Sequence, residues 1–97
     1  MTFIIVRPEA EADLARARDW YGRQRIGLGH EFLLRIDEAL GRVSGAPELN
    51  PIVHKDLRRA LVRRFPYAIY YRIDGNYVAV LGIFHAARAP REWETRA

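Results

Sequence analysis

The sequence predicts one α+β domain in which two helices come before most of the sheet. Apolar residues recur at helical spacing through residues 8–45, whereas β-type residues fill the second half of the chain. The turn Asp74–Gly75–Asn76 separates two of these β-type runs and is a strong hairpin signal. A chain of 97 residues builds one modest core, so we treat 1–97 as a single domain.

The first half predicts a strand followed by an antiparallel helical hairpin. Phe3 to Val6 is the expected strand, and Pro8 suits the first position of a helix that we expect to reach Gln24. The acids Glu9, Glu11 and Asp13 fall in the first turns of this helix, where the helix dipole favours negative charge. Gly27 and Gly29 are expected to break the helix, and Gly45 and Pro47 to end the second one. The short connection predicts antiparallel packing.

The second half predicts a three-stranded antiparallel meander. We expect strands at Leu57–Arg64, Tyr67–Ile73 and Tyr77–Phe84, a loop at Pro47–Asp56, and a short turn of helix after Pro90. The helical hairpin covers one face of this sheet. Because strand side chains alternate between faces, we expect the other face to stay partly open and to carry arginines.

The charge of the chain is basic and unevenly spread. The formal net charge is +4 and the isoelectric point is about 10.0. Residues 1–50 carry a net charge of −1, whereas residues 51–97 carry +5. An open basic sheet face with aromatic neighbours would suit nucleic acid or an acidic protein partner.

Several classes of site and location are disfavoured by composition. The chain has no cysteine, which excludes disulfides and thiolate zinc sites, and its three histidines are scattered; we expect no metal and no cofactor. No apolar run is long enough to cross a bilayer. The N-terminus is typical of a strand and not of a signal peptide, so we expect a cytoplasmic protein without a membrane partner.

Three motifs in a fixed order carry a family resemblance. They are Pro8–Glu9–Ala10–Glu11–Ala12–Asp13–Leu14, Arg63–Arg64–Phe65–Pro66–Tyr67 and Tyr70–Tyr71–Arg72–Ile73, followed by a strand that ends in His85 and by Arg88. From Val6 to Trp93 the chain resembles the RelE/ParE family of bacterial toxins, and in particular its ParE-like, plasmid stabilisation branch.

The resemblance implies the toxin of a type II toxin–antitoxin module, neutralised by an antitoxin whose C-terminal segment wraps around it. ParE-like members inhibit DNA gyrase, which is the function we favour. RelE-like members cleave mRNA in the ribosomal A site, and this alternative stays open. A third alternative is a non-toxic family member that acts only as a protein-binding module.

The RelE-like catalytic set is only partly present. Those enzymes combine several Lys and Arg residues with a C-terminal Tyr or His, whereas here no tyrosine follows Tyr77. If the chain were a ribonuclease, we would expect His85, Arg88 and Arg64 near the scissile phosphate, with Lys55 as further support. The other interpretation of His85 is a histidine that is hydrogen-bonded at a strand end.

Two further sets of residues are candidates for protein contacts. For the target, gyrase or the ribosome, we expect contacts from Arg88, Arg91, Trp93, Arg58 and Arg72. For the antitoxin, we expect contacts from Trp20, Leu34, Arg64 and Tyr70. Arginines that point toward the helices instead are expected to pair with Asp37 or Glu38. For the strand tyrosines, half-buried packing is the alternative to binding.

Overall fold

The computed structural model describes residues 2–88 and 90–97. Its strands, numbered along the chain, are β1 (Phe3–Val6), β2 (Ile52–His54), β3 (Leu57–Leu61), β4 (Tyr67–Asp74) and β5 (Tyr77–His85). Its helices are α1 (Pro8–Gln24), α2 (Leu28–Gly45) and α3 (Pro90–Glu94), with a 3₁₀ turn at Pro47–Leu49. The strands form one sheet in the order β1–β5–β4–β3–β2, in which β1 is parallel to β5 and the other neighbours are antiparallel. The predicted fold class is confirmed.

The helical hairpin forms as predicted, but one of the two glycines has a different role. Gly27 adopts a φ of +86° between the helices, which favours glycine. Gly29 does not act as a helix breaker, because it lies buried in the first turn of α2. A Cβ atom at Gly29 would lie 2.7 Å from the carbonyl oxygen of Arg18 in α1. Gly29 therefore permits the close approach of α1 and α2.

The hairpin covers one face of the sheet, which we call the inner face. Phe32 and Ile36 of α2 are at most 1% exposed and lie in the same cluster as Ile69 and Val80 of the central strands. Tyr71 points to this face as well. Its hydroxyl donates to the carbonyl of Pro47 at 2.7 Å and accepts from Nδ2 of Asn50 at 3.0 Å. Burial of this hydroxyl raises the pKa of Tyr71 above its ordinary value.

The edge of the sheet around β2 and β3 differs from the prediction in two ways. The predicted loop contains the short strand β2, which pairs with β3. β3 ends at Leu61, not at Arg64, because the chain turns there: Val62 donates its amide to the carbonyl of Tyr67, and Arg64 has a φ of +69°. These differences shorten the predicted arginine-rich strand by three residues.

The opposite, outer face of the sheet is not open. Trp93 of α3 is 6% exposed and stacks on Tyr70 of β4, with ring centroids 5.0 Å apart and an interplanar angle of 16°. The cluster beneath it is completed by Leu57, Ala68, Ala79, Leu81 and Phe84. The expectation of an open basic face is therefore wrong at the centre of the sheet, which is apolar and covered by the C-terminal helix of the chain itself.

Nothing in the described helices is suited to spanning a bilayer, since none combines the required length with sufficient apolar character. Among residues 2–88 and 90–97, no three His, Cys, Asp or Glu side chains are grouped so that they could hold a metal ion.

Candidate functional site

A concave surface lies along half of β5. β1 pairs only with Tyr77–Val80, so among the described residues the second half of β5 has no strand neighbour on that side. The chain leaves β1 through Arg7, whose amide donates to the carbonyl of Val80, and continues as α1. A groove of about 750 Å³ lies between α1 and this free edge.

The groove has an apolar floor and a rim that is partly cationic. Its lining residues are Asp13, Arg16, Ala17, Trp20, Tyr21, Pro66, Tyr67, Ile83, His85, Ala87 and Arg88. Trp20 is 51% exposed and meets the ring of Tyr21 edge to face at a centroid distance of 5.0 Å. Burial, and to a smaller extent the neighbouring Tyr67, raise the pKa of Tyr21, so its hydroxyl stays neutral at physiological pH. The groove thus offers aromatic surface between arginines.

A buried carboxylate stabilises the free edge. The Asp13 side chain is 2% exposed and accepts the backbone amide of Ile83 at 3.1 Å. Arg16 donates to the same carboxylate at 2.6 Å, and Arg96 donates to both of its oxygens. Buried charges require such partners, so Asp13 replaces the missing strand neighbour at Ile83.

Sequence reasoning did not find this role of Asp13. We assigned the residue to the helix dipole because it lies near the start of α1. The available signal was its position: Asp13 lies between Ala10 and Ala17 on the apolar stripe, which is the face that packs on the sheet. An acid on that stripe indicates a buried carboxylate with partners.

The structure brings two of the three candidate catalytic residues into this groove. His85 is half-buried at the end of β5, where its Nδ1 accepts the amide of Ala87 at 3.1 Å. Arg88 lies next to it along the groove, and its Nε is 3.2 Å from Oε2 of Glu92. Arg64 does not line the groove; it is exposed in the connection between β3 and β4. The interpretation of His85 as a hydrogen-bonded strand-end residue matches this geometry.

Three of the predicted contact residues are not available at the surface in the way we expected. Tyr70 is 1% exposed and Trp93 is 6% exposed, because each covers the other on the outer face. Arg58 turns toward the loop that precedes β2, where its Nη1 donates to the carbonyls of Glu48 at 3.0 Å and Asn50 at 2.8 Å. Arg58 therefore holds this loop in place.

The carboxylates expected to pair with inward arginines of the strands have other roles. Glu38 pairs with Arg35 at 3.1 Å and with Arg42 at 3.5 Å, both within α2. Asp37 is exposed. Among the described residues no strand arginine forms an ion pair with Asp37 or Glu38, and Arg58 bonds to backbone carbonyls instead.

The other candidate contact residues lie outside the groove. Leu34 is 53% exposed on α2, and Arg91 is exposed on α3. Arg72 is half-buried on β4, next to the tail of the chain. Of the predicted antitoxin contacts, only Trp20 lines the groove.

Comparison with known proteins places the chain in a family. The profile of the family described as "ParE toxin of type II toxin-antitoxin system, parDE" matches residues 4–90. A solved structure described as "Chromosomal ParDE TA system from P. aeruginosa" is similar in fold, with a TM-score of 0.75 and 21% identity over 88% of this chain and 96% of that one. The comparison with curated protein sequences found no match. The chain therefore belongs to the family of ParE toxins of type II toxin–antitoxin systems.

Proposed function

We propose that this chain acts by binding DNA gyrase and is held inactive by a cognate antitoxin. The observation that supports this most is the family match, which extends over residues 4–90. Gyrase inhibition is the activity that the ParE-like resemblance implies. The groove beside β5 is the surface that we assign to a protein partner.

The groove is better suited to binding a protein than to cleaving RNA. Cleavage through the ribose 2′-hydroxyl needs one group that accepts a proton and another that donates one. The groove contains a single histidine, the side-chain type that exchanges protons near neutral pH. One of its two ring nitrogens already accepts the amide of Ala87. The other lining side chains that could exchange a proton are Tyr21, Tyr67 and Asp13, and the oxygens of Asp13 already accept from two arginines and a backbone amide.

The chemistry of the groove defines the antitoxin segment that would fit. Trp20 and Tyr67 offer aromatic surface for an apolar side chain, and such contacts dominate the affinity of many interfaces. Arg16 and Arg88 at the rim would attract acidic side chains, although each already faces one carboxylate of this chain. We therefore assign the groove to an acidic segment with an apolar anchor residue.

A supercoiling assay tests the proposed target. Purified chain added to gyrase and relaxed plasmid is expected to reduce the supercoiled product, and an acidic protein encoded beside its reading frame is expected to restore it. Unaffected supercoiling at an excess of the chain would contradict the gyrase proposal. Inhibition that the neighbouring protein does not relieve would contradict the antitoxin proposal alone.

One observation favours the mRNA endonuclease as a second candidate: His85, Arg88 and Arg16 line the same groove. This candidate predicts cleaved transcripts in cells that express the chain, and their loss in the His85→Gln variant. Intact transcripts in growth-arrested cells would exclude it. Expression without growth arrest would instead favour a non-toxic, protein-binding member of the family.

A further inference from the structure

The last eight residues of the chain, 90–97, form what we call the C-terminal strap, because they lie across the outer face of the sheet. Trp93 stacks on Tyr70 near the middle of the strap. Glu94 approaches His54 of β2, with Oε2 3.7 Å from Nδ1. Arg96 then reaches the free edge of β5 at the far end of the strap. The strap thus touches both sides of the sheet's outer cluster.

Arg96 holds this strap against α1 and β5 through contacts with three different groups. Its Nη1 and Nη2 donate to the two oxygens of Asp13, and its Nη1 also donates to the carbonyl of Leu81 at 3.2 Å. The guanidinium carbon lies 4.5 Å from the centre of the Phe84 ring, which is a cation–π distance. These contacts link the end of the chain to α1 and β5.

Gly82 provides the space through which Arg96 reaches Asp13. A Cβ atom at this position would lie 3.1 Å from Nη1 of Arg96 and 2.6 Å from a carbon of the Phe84 ring. The register of β4 and β5 shifts next to Gly82, which is typical of a β-bulge. The backbone of β5 is therefore shaped to admit the guanidinium.

Two features indicate that the closed strap can be released without unfolding the domain. α3 has only five residues, and so short a helix is not stable without the surface on which it packs. The hydroxyl of Tyr70 is buried under the strap and has no hydrogen-bond partner among the described residues. A buried unpaired hydroxyl costs free energy, which water would recover once the strap lifts.

We propose that the C-terminal strap opens and closes as a local unit, with the ion pair between Arg96 and Asp13 as its clasp. Opening frees Trp93 and uncovers the apolar patch formed by Leu57, Tyr70 and Phe84. The clasp sets how often this apolar surface is exposed. The proposal does not depend on gyrase or on an antitoxin, since it concerns an equilibrium within the chain itself.

Hydrogen exchange of the wild-type chain tests the local opening. The amides of Thr95, Arg96 and Ala97 donate within the strap, so their exchange reports its opening. They are expected to exchange at least about tenfold faster than the slowest amides of β4 and β5. Equal protection of the strap and the central strands would overturn the proposal, because the strap would then open only on global unfolding.

The clasp is tested by comparing Arg96→Ala with Arg91→Ala, which changes an exposed arginine of the same segment. A Trp20→Phe background leaves Trp93 as the only tryptophan. Arg96→Ala is expected to accelerate hydrogen exchange in the strap by about tenfold or more, because it removes strong hydrogen bonds to a charged group. It should also shift Trp93 emission to the red, because the indole ring of an open strap is exposed to water. Arg91→Ala should leave both unchanged. Equal behaviour of the two variants would overturn the role of the clasp; if Arg96→Ala does not fold, the wild-type exchange still decides on local opening.

Discussion

The two faces of the sheet are built differently, although the same strands form both. The inner face packs against two helices of 17 and 18 residues, whereas the outer face packs against a helix of five. Neighbouring tyrosines of β4 illustrate the contrast: the hydroxyl of Tyr71 has two hydrogen-bond partners, and that of Tyr70 has none among the described residues. The inner face thus satisfies the tyrosine hydroxyl that it buries, whereas the outer cluster keeps a tyrosine hydroxyl that its cover does not satisfy.

The largest expected difference between the two faces is in the free energy of unfolding when a buried aromatic side chain is removed. Phe32 is completely buried in the inner cluster. Phe32→Ala is expected to lower the free energy of unfolding by about 3–5 kcal/mol, because it leaves a cavity between α2 and the sheet. Trp93→Ala should cost less, since the strap can detach without leaving a cavity in the inner core. Urea denaturation followed by circular dichroism measures both. A larger loss for Trp93→Ala would contradict our division of the core.

The inner face follows from local sequence patterns, which explains why it could be predicted. The spacing of Phe32, Ile36 and Val43 indicates a helix with one apolar face, and Pro8 marks where the first helix begins. The Asp74–Gly75–Asn76 turn fixes the pairing of the last two strands. Each of these signals lies within a few residues of the structure that it predicts.

The outer face depends on contacts between distant segments, which local patterns do not reveal. Tyr70 is buried by Trp93, 23 positions further along the chain, and Asp13 is paired with Arg96, 83 positions away. β2 has only three residues and owes its strand conformation to pairing with β3. For the same reason the groove is only partly predictable from the sequence. The sequence indicates Trp20, His85 and Arg88 as candidate site residues, but not that they line one groove.

The next largest effect concerns how tightly the hairpin of the inner side is packed. Gly29→Ala places a methyl group against the Arg18 carbonyl, and it is expected to destabilise the chain by about 1–3 kcal/mol through overpacking. Gly41→Ala is the matched control on the same helix, because nothing lies within 4 Å of its added Cβ atom. The control should stabilise the chain by up to about 1 kcal/mol. Similar melting temperatures for the two variants would show that α1 and α2 are less closely packed than described.

The two neighbouring tyrosines give a smaller but more direct comparison of the faces. Tyr71→Phe removes the hydroxyl that bonds Pro47 and Asn50, and it is expected to cost about 1 kcal/mol of unfolding free energy. Tyr70→Phe removes a hydroxyl without a partner, and it should be neutral or stabilising. Urea titrations of the two variants measure this difference. A greater loss for Tyr70→Phe would mean that its hydroxyl is satisfied after all.

The smallest effect on stability is expected in the groove, where a substitution should weaken antitoxin binding but hardly change the free energy of unfolding. Trp20→Ala should change the free energy of unfolding by less than about 0.5 kcal/mol, because the side chain is half exposed. The affinity of the Trp20→Ala variant for the antitoxin should fall roughly thirtyfold, which corresponds to the loss of about 2 kcal/mol of binding free energy from an interface anchor. Ile52→Ala is the matched control, since this side chain is 54% exposed, lies outside the groove and is not among the expected antitoxin contacts. Equal losses of affinity, measured by calorimetry, would argue against the groove.

The account depends most on the claim that the chain acts on its target by binding and not by chemistry. Wild-type and His85→Gln chains, titrated side by side into a gyrase supercoiling reaction, test it most directly. We predict that both inhibit supercoiling with the same concentration dependence, since inhibition by binding requires no proton transfer by His85. Gyrase that keeps full activity at a large excess of the wild-type chain would contradict the account.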